Sequence, residues 1–180
     1  MRLAPIALLR LIVIFGLILV ATQPALAESL PKSIVVMDFD LQDDTAIQGG
    51  PVDAEAQEKR LRLILAELKK QLTEKNLYRV IDNADIAADI AKAQEKTALS
   101  ECNGCEVDIA KKAGAERVMA CWVDKVSNLI ININVGVKDV RTSQILYVRS
   151  ADLRGNTDDS WLRAVKRVAR DIEEQKLHLR

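Results

Sequence analysis

The stretch that decides the fold is residues 117–153, which read RVMACWVDKVSNLIININVGVKDVRTSQILYVRSADL. Residues 117–125 and 145–153 are rich in apolar and β-branched side chains, a composition typical of β-strands. Residues 129–140 form a third run of this kind, and the polar residues 141–143 separate it from the run that follows. The stretch therefore predicts three consecutive strands, of which the last two form a hairpin.

The middle run alternates between apolar and polar residues. Such alternation has the two-residue period of a strand whose two faces meet different environments. It predicts a half-buried antiparallel strand with one solvent-exposed face. The inward members are Leu129, Ile131, Ile133, Val135 and Val137, and the outward members are Asn132, Asn134, Gly136 and Lys138.

Upstream of this stretch, strand and helix patterns alternate. Residues 33–39 form a short β-branched run that predicts a buried first strand, and residues 40–51 read as a polar loop. Residues 54–74 are the clearest helix of the chain, and residues 77–81 read as a second short strand. The apolar positions that recur at helical spacing are Leu61, Ile64, Leu65, Leu68 and Leu72.

Two short helices and one long helix complete the pattern. Asp82 or Asn83 can cap a helix that reaches about residue 93, and residues 107–113 predict another that ends at Gly114. Thr157 is placed to cap the last helix. Its apolar face consists of Trp161, Ala164, Val165, Val168 and Ile172.

The predicted order of elements is β-α-β-α-α-β-β-β-α. Strands separated by helices come first, and strands joined by hairpins come last. This order predicts an α+β fold, with helices packed on a mixed, mostly antiparallel sheet of about five strands. The length that follows the first 27 residues is typical of one domain, so we expect residues 28–180 to form a single domain.

Charge and composition exclude several functional classes. The chain has 26 basic and 26 acidic residues, and its first 27 residues carry only two charges, Arg2 and Arg10. From residue 28 onward the net charge is therefore −2, so the overall basic charge typical of nucleic-acid-binding proteins is missing, and we expect no nucleic-acid partner. The sequence contains neither P-loop glycines nor a Gly-x-Ser-x-Gly motif, and we predict no catalytic set and no cofactor.

Residues 1–27 have the three parts of a secretory signal peptide. Two arginines supply the positive charge, residues 11–21 are continuously apolar, and residues 25–27 (Ala-Leu-Ala) match the site that a signal peptidase reads. The apolar run is shorter than the about 20 residues that cross a bilayer. We therefore expect cleavage before Glu28, export to the periplasm and no stable membrane insertion afterwards. An uncleaved membrane anchor is the alternative.

Cysteines provide the most conspicuous motif, Cys102-Asn103-Gly104-Cys105. In an oxidising compartment two cysteines this close usually pair, and Asn-Gly suits the tight turn that the bridge requires. Together with Cys121, three single bridges are possible (102–105, 102–121 or 105–121), and we favour the first. A redox dithiol is the alternative, because the helix predicted after Cys105 would stabilise a thiolate.

A second candidate site is acidic. Asp38, Asp40, Asp43 and Asp44 follow the first strand, and clustered carboxylates can hold a cation. The spacing of a calcium loop is absent, and carboxylates at strand ends normally cap turns or are solvated, so we predict no metal here. The only histidine is His178, in the C-terminal tail, so we expect neither a zinc site nor a Ser-His-Asp or Cys-His arrangement within one chain.

Four segments resemble a family of secreted bacterial proteins known only as a domain of unknown function. They are residues 109–115, 125–130, 139–142 and 152–161. More distantly, the layout of the chain is similar to the TolB amino-terminal domain and to CsgG-like curli-secretion proteins. The resemblance implies a periplasmic module that binds other envelope proteins, as an accessory to a periplasmic oxidation or secretion system. Ser143 and Cys121 stand where the family pattern usually has glycine.

These observations lead to two functional hypotheses. In the first, the protein is a non-enzymatic interaction module that engages an unidentified envelope protein, or a copy of itself, through a sheet edge or the face of Asn132, Asn134 and Lys138. In the second, it is a thiol-redox or metal-handling accessory protein that uses Cys102 and Cys105 or the acidic loop.

Overall fold

The computed structural model describes residues 30–47 and 53–178. The predicted signal peptide, residues 1–27, lies outside the described residues, as does part of the predicted loop 40–51. Within the described chain, five strands and four helices of at least eight residues follow one another in the predicted order. They are β1 (Ser33–Asp43), α1 (Ala54–Glu74), β2 (Arg79–Val80), α2 (Ala87–Gln94), α3 (Cys105–Lys112), β3 (Arg117–Lys125), β4 (Ile131–Asp139), β5 (Ile145–Leu153) and α4 (Asp158–His178).

The five strands form one mixed sheet in the order β2-β1-β3-β4-β5. β1 pairs in parallel with both β2 and β3, whereas the β3–β4 and β4–β5 ladders are antiparallel. This arrangement confirms the predicted α+β fold with helices on a mixed sheet. The two edges differ greatly, because β2 has two residues and β5 has nine.

The larger core lies between one face of the sheet, here called the helix face, and the two long helices α1 and α4. The apolar faces predicted for these helices are the ones that pack here, and Trp161 of α4 is fully buried. Side chains cap both helices, and the cap of α4 is the predicted Thr157. Asp53 accepts from the backbone N–H of Ala56 at 3.0 Å, and Thr157 Oγ1 accepts from that of Ser160 at 3.2 Å.

A smaller core lies on the opposite face of the sheet, under α2 and α3. It contains residues of β1 and the start of β3, with Ile86 and Ile90 from the α2 region, but no residue of β5. The two short helices therefore cover only the β1 half of this face. We call the remaining half, formed by β3, β4 and β5, the open face.

Several predicted boundaries are wrong, each for a reason that lies in the tertiary structure. β1 continues through the predicted loop to Asp43, because residues 39–43 pair with residues 121–125 of β3. A single helical turn, Asp44–Ile47, then follows where the loop was expected. β2 retains only two residues of the predicted strand 77–81, because the backbone N–H groups of Leu77 and Tyr78 donate to Leu72 O near the end of α1 and not to β1.

The β4 prediction also needs two corrections. Leu129 was expected to point inward with Ile131, but β4 begins at Ile131 and Leu129 is 70% exposed in the preceding turn. Asn134 was expected on a wet face but is only 7% exposed. Within β4 the predicted two-residue alternation between the faces of the sheet is correct. The sequence did not show which of these side chains are covered by neighbouring residues.

Candidate interaction surface

The centre of the open face is apolar. A Cβ atom placed on Gly136 would lie 3.7 Å from Trp122 Cζ3 and 3.8 Å from Val148 Cγ2. The side chains of Trp122 in β3 and Val148 in β5 therefore lie on either side of Gly136 in β4, and the three strands form one continuous apolar patch. Gly136 is buried, Trp122 is partly exposed and Val148 is 46% exposed, so the patch is open to solvent on its β5 side.

The patch continues to the outer edge of the sheet along β5. Ile145, Leu146 and Val148 are 63%, 43% and 46% exposed, and they follow one another along the same strand. No other described strand pairs with the outer side of β5, so a row of backbone hydrogen-bonding groups is open there. Exposed apolar residues beside an open strand edge are the usual features of a protein-binding surface.

The polar residues expected to form a partner surface, Asn132, Asn134 and Lys138, lie on the open face, but each of them is already bonded to a neighbouring carboxylate. Asn134 donates to Asp124 Oδ2 at 2.9 Å, and Asn132 donates to Asp152 Oδ1 at 2.7 Å. Lys138 donates to Glu106 Oε1 at the N-terminus of α3. The apolar residues of β5 are thus the most accessible part of this face. A sheet edge was among the expected partner surfaces, but nothing in the sequence shows that β5 is the strand at that edge.

A disulfide bond joins Cys102 to Cys105, which is the first residue of α3. The two residues between them are both left-handed, with φ of 50° at Asn103 and 113° at Gly104. The backbone N–H of Gly104 donates to Glu106 Oε2 at 3.1 Å, so this carboxylate stabilises the loop between the two cysteines. The bridge and Glu106 together fix the start of α3.

Cys121 is the remaining cysteine, and it is free. It lies in β3 with its side chain in the larger core under α1 and α4, and it is completely buried. Burial raises the pKa of the Cys121 thiol well above its ordinary value. A thiol in this environment is protonated and unreactive at neutral pH.

The four clustered aspartates do not converge on one point. Asp40 Oδ2 accepts from the backbone N–H of Ser100 at 2.7 Å, which anchors the loop before the disulfide. Asp43 accepts from the buried Lys125 and from Thr45. Burial by itself would raise the pKa of Asp43, but the hydrogen bonds from Lys125 and Thr45 outweigh it and hold the pKa below 3.8. These two carboxylates stabilise the fold.

One other group in the described part of the chain brings potential metal ligands close together. The Sγ atoms of Cys102 and Cys105 and a carboxylate oxygen of Glu106 all lie within 4.8 Å of one another. With the disulfide formed, the two sulfurs are not thiolates, and thiolates are the form that binds metal. The arrangement therefore offers a metal site only after reduction.

None of the described helices combines the length and the apolar character that crossing a bilayer requires.

Solved structures show that other proteins share this fold. PelC from Paraburkholderia phytofirmans, solved as a dodecamer, aligns with a TM-score of 0.50 and 11% identity over 79% of this chain and 87% of that one. Lipoprotein GNA1162 from Neisseria meningitidis aligns with a TM-score of 0.50 and 18% identity over 79% of this chain and 97% of that one. TolB from Acinetobacter baumannii is a weaker match, with a TM-score of 0.45 and 10% identity over 82% of this chain and 28% of that one.

The sequence itself defines the family. The chain belongs to the family described as "Protein of unknown function (DUF2380)", whose sequence profile matches residues 32–172. The expected membership in a family of unknown function is thereby confirmed. A search of curated protein sequences finds no match to this chain.

Proposed function

We propose that this protein is a non-enzymatic interaction module of the bacterial envelope that associates with a second copy of itself through the edge of β5. The observation that carries the proposal is the run of exposed apolar residues, Ile145, Leu146 and Val148, on a nine-residue strand at the edge of the sheet. Long, apolar edge strands of this kind bind another strand when one is available.

The sequence of β5 is compatible with pairing to its own copy. In an antiparallel pair centred on Val148, this residue faces Val148 of the second copy, and Leu146 faces Ser150. Tyr147 faces Arg149, and no two like charges are opposed. A pair centred on Arg149 would instead place two guanidinium groups opposite each other. The register centred on Val148 is therefore the one that we expect.

The fold relatives add support for self-association in the envelope. PelC, which shares the fold, is solved as a dodecamer, and GNA1162, which also shares it, is a lipoprotein. Export to the periplasm through residues 1–27 is part of the same proposal, because it rests on the signal-peptide pattern alone.

The experiment is to measure the molar mass of the purified protein by size-exclusion chromatography with light scattering, for the native sequence and for Val148→Lys. We expect a dimer or larger assembly for the native chain and a monomer for the variant, because two lysines would face each other at the centre of the pair. Ala66→Lys adds the same charge at an exposed position of α1 and should leave the mass unchanged.

Far-UV circular dichroism shows whether Val148→Lys is folded, and Ile145→Lys provides a second variant at a more exposed position. A native protein that is monomeric at micromolar concentration would contradict self-association. Affinity purification from the native envelope then distinguishes a different protein partner, including a periplasmic oxidation or secretion system, from no partner at all.

A thiol-based accessory role is the second candidate, and the position of Glu106 beside Cys102 and Cys105 favours it. Reduction by two electrons and two protons would give two thiols at the N-terminus of α3, where the helix dipole stabilises a thiolate. Equilibration with glutathione buffers measures the reduction potential. A potential below about −300 mV, typical of structural disulfides, would contradict this role.

A further inference from the structure

A cleft of about 310 Å³ lies between the end of β5 and α4, on a part of the surface that the proposed self-association does not use. Four arginines line it: Arg154, Arg163, Arg167 and Arg170. We call it the arginine cleft. Asp152 is the one acidic residue in its lining, and the amide of Asn132 already donates to that carboxylate at 2.7 Å.

The four guanidinium groups have no carboxylate partner in the described chain. The ion pairs found among the described residues involve eight lysines and three arginines, and none of the four cleft arginines is among them. Arg163, Arg167 and Arg170 are spaced i, i+4 and i+7, which places them on one face of α4 over about 10 Å. Such a row matches a ligand that carries more than one phosphate group.

An exposed apolar turn lies next to the arginine cleft. It connects β3 to β4, and its Val126, Leu129 and Ile130 are 42%, 70% and 56% exposed. Leu129 and Ile130 line a second cleft of about 740 Å³, which shares Asp152, Leu153 and Arg154 with the arginine cleft. Cationic and apolar groups thus meet on one continuous surface.

Hydrogen bonds hold this turn with its apolar side chains outward. Ser127 Oγ accepts from the backbone N–H groups of Leu129 and Ile130, at 3.2 and 3.1 Å. Asn156, which precedes α4, donates to Asn128 Oδ1 at 3.1 Å and accepts from the indole N–H of Trp161 at 3.0 Å. The turn is therefore tied to the segment that carries Arg154.

We infer that this surface binds anionic phospholipid membranes peripherally. Arg154, Arg163, Arg167 and Arg170 bind the headgroup phosphates, while Leu129 and Ile130 enter the boundary between headgroups and acyl chains. A soluble phosphate compound would contact only the arginines, whereas a lipid surface would also bind the apolar turn beside them. The membrane is therefore the ligand that both observations support.

The test is co-sedimentation with vesicles of phosphatidylcholine alone and with vesicles that contain phosphatidylglycerol. The protein is expressed from its full sequence. Any apolar segment at the N-terminus would bind both vesicle types alike, so the readout is the difference between them. We expect binding that depends on phosphatidylglycerol and decreases with added salt. Arg163→Glu/Arg167→Glu should weaken it at least about tenfold, because each basic residue near an anionic surface contributes several-fold.

A matched control reverses two charges elsewhere. Lys92→Glu/Lys96→Glu changes exposed lysines at the end of α2 by the same total charge and should retain the native affinity within a few-fold. Leu129→Ser/Ile130→Ser should also weaken binding to phosphatidylglycerol vesicles, while leaving the arginines in place. Circular dichroism confirms that each variant is folded.

Three outcomes would overturn the inference. The first is equal binding to both vesicle types, and the second is native affinity in Arg163→Glu/Arg167→Glu. The third is thermal stabilisation of the native protein, but not of the arginine variant, by inorganic pyrophosphate without any vesicle binding. That result would identify the arginine cleft as a site for a soluble phosphate compound.

Discussion

Lys125 Nζ lies 2.7 Å from Asp43 Oδ2, although the lysine side chain is only 1% exposed. The two residues are partners in the parallel ladder between β1 and β3, at the end that extends past the predicted strand. Lys125 also donates to Thr45 Oγ1 at 3.1 Å. The ion pair explains how β1 can end in a polar sequence and still belong to the sheet.

Asp43→Asn should strongly destabilise the protein. The substitution leaves the ammonium group of Lys125 buried without a carboxylate, and removing one partner of a buried ion pair costs about 3–5 kcal/mol. Urea unfolding at pH 7 measures the change. Asp44→Asn is the matched control, because the neighbouring Asp44 is exposed, and its effect should stay within about 0.5 kcal/mol. Equal effects of the two substitutions would contradict the importance of the pair.

The same pair should make the fold sensitive to acid. The pKa of Asp43 is lower in the folded protein than its ordinary value of 3.8, so the folded state favours the ionised carboxylate. This contribution to the free energy of unfolding is fully present above about pH 5 and is lost as pH falls through the lowered folded pKa. Between pH 6 and pH 2.5 the free energy of unfolding should therefore decrease more steeply with falling pH for the native protein than for Asp43→Asn. Identical slopes would show that Asp43 does not contribute.

Ser143→Gly should stabilise the protein by about 1 kcal/mol. Ser143 has φ of 58° in the turn between β4 and β5, a conformation that strains a residue with a Cβ atom and suits glycine. Ser150→Gly, in the extended part of β5, is the control and should destabilise by about 0.5–1 kcal/mol. In thermal unfolding, Ser143→Gly should raise the melting temperature and Ser150→Gly should lower it if the backbone conformation is the cause.

Cys102→Ser/Cys105→Ser should lower the free energy of unfolding by less than about 2 kcal/mol. The bridge closes a ring of only four residues, so it restricts the unfolded chain less than a long-range bridge does. Chemical unfolding of the double variant measures the decrease, and dithiothreitol treatment of the native protein should give a similar value. Complete unfolding on reduction would contradict this account.

The features that the sequence predicted correctly are those set by local patterns. α1 begins and ends at the predicted residues, because a 21-residue helix with apolar residues at a regular helical spacing carries its own signal. The bounds of β3 and β5 are also as predicted, since apolar residues fill both strands. Periodicity and capping act within one element, so no tertiary information is needed to recognise them.

The features that the sequence did not reveal depend on neighbouring elements. Asn134 is buried because Asp124 on the adjacent strand accepts its hydrogen bond, and no pattern within β4 could show that. Likewise, Leu129 is exposed because the chain turns one residue before β4 begins. The position of β5 at the edge is a property of strand order, so the sequence predicted an interaction through a sheet edge without showing that this edge is β5.

The burial of Cys121 has a consequence for how the chain acquires its bridge. The sheet lies between this thiol, in the core beneath the long helices, and the pair at the start of α3, so no pairing of Cys121 with either partner is compatible with the finished fold. The folded chain therefore allows only the bridge between Cys102 and Cys105, and a bridge to Cys121 requires that β3 has not yet joined the sheet. A chain that assembles β3 and β4 before it meets an oxidant can close only the short loop. One oxidised earlier can be trapped with its strands unable to come together.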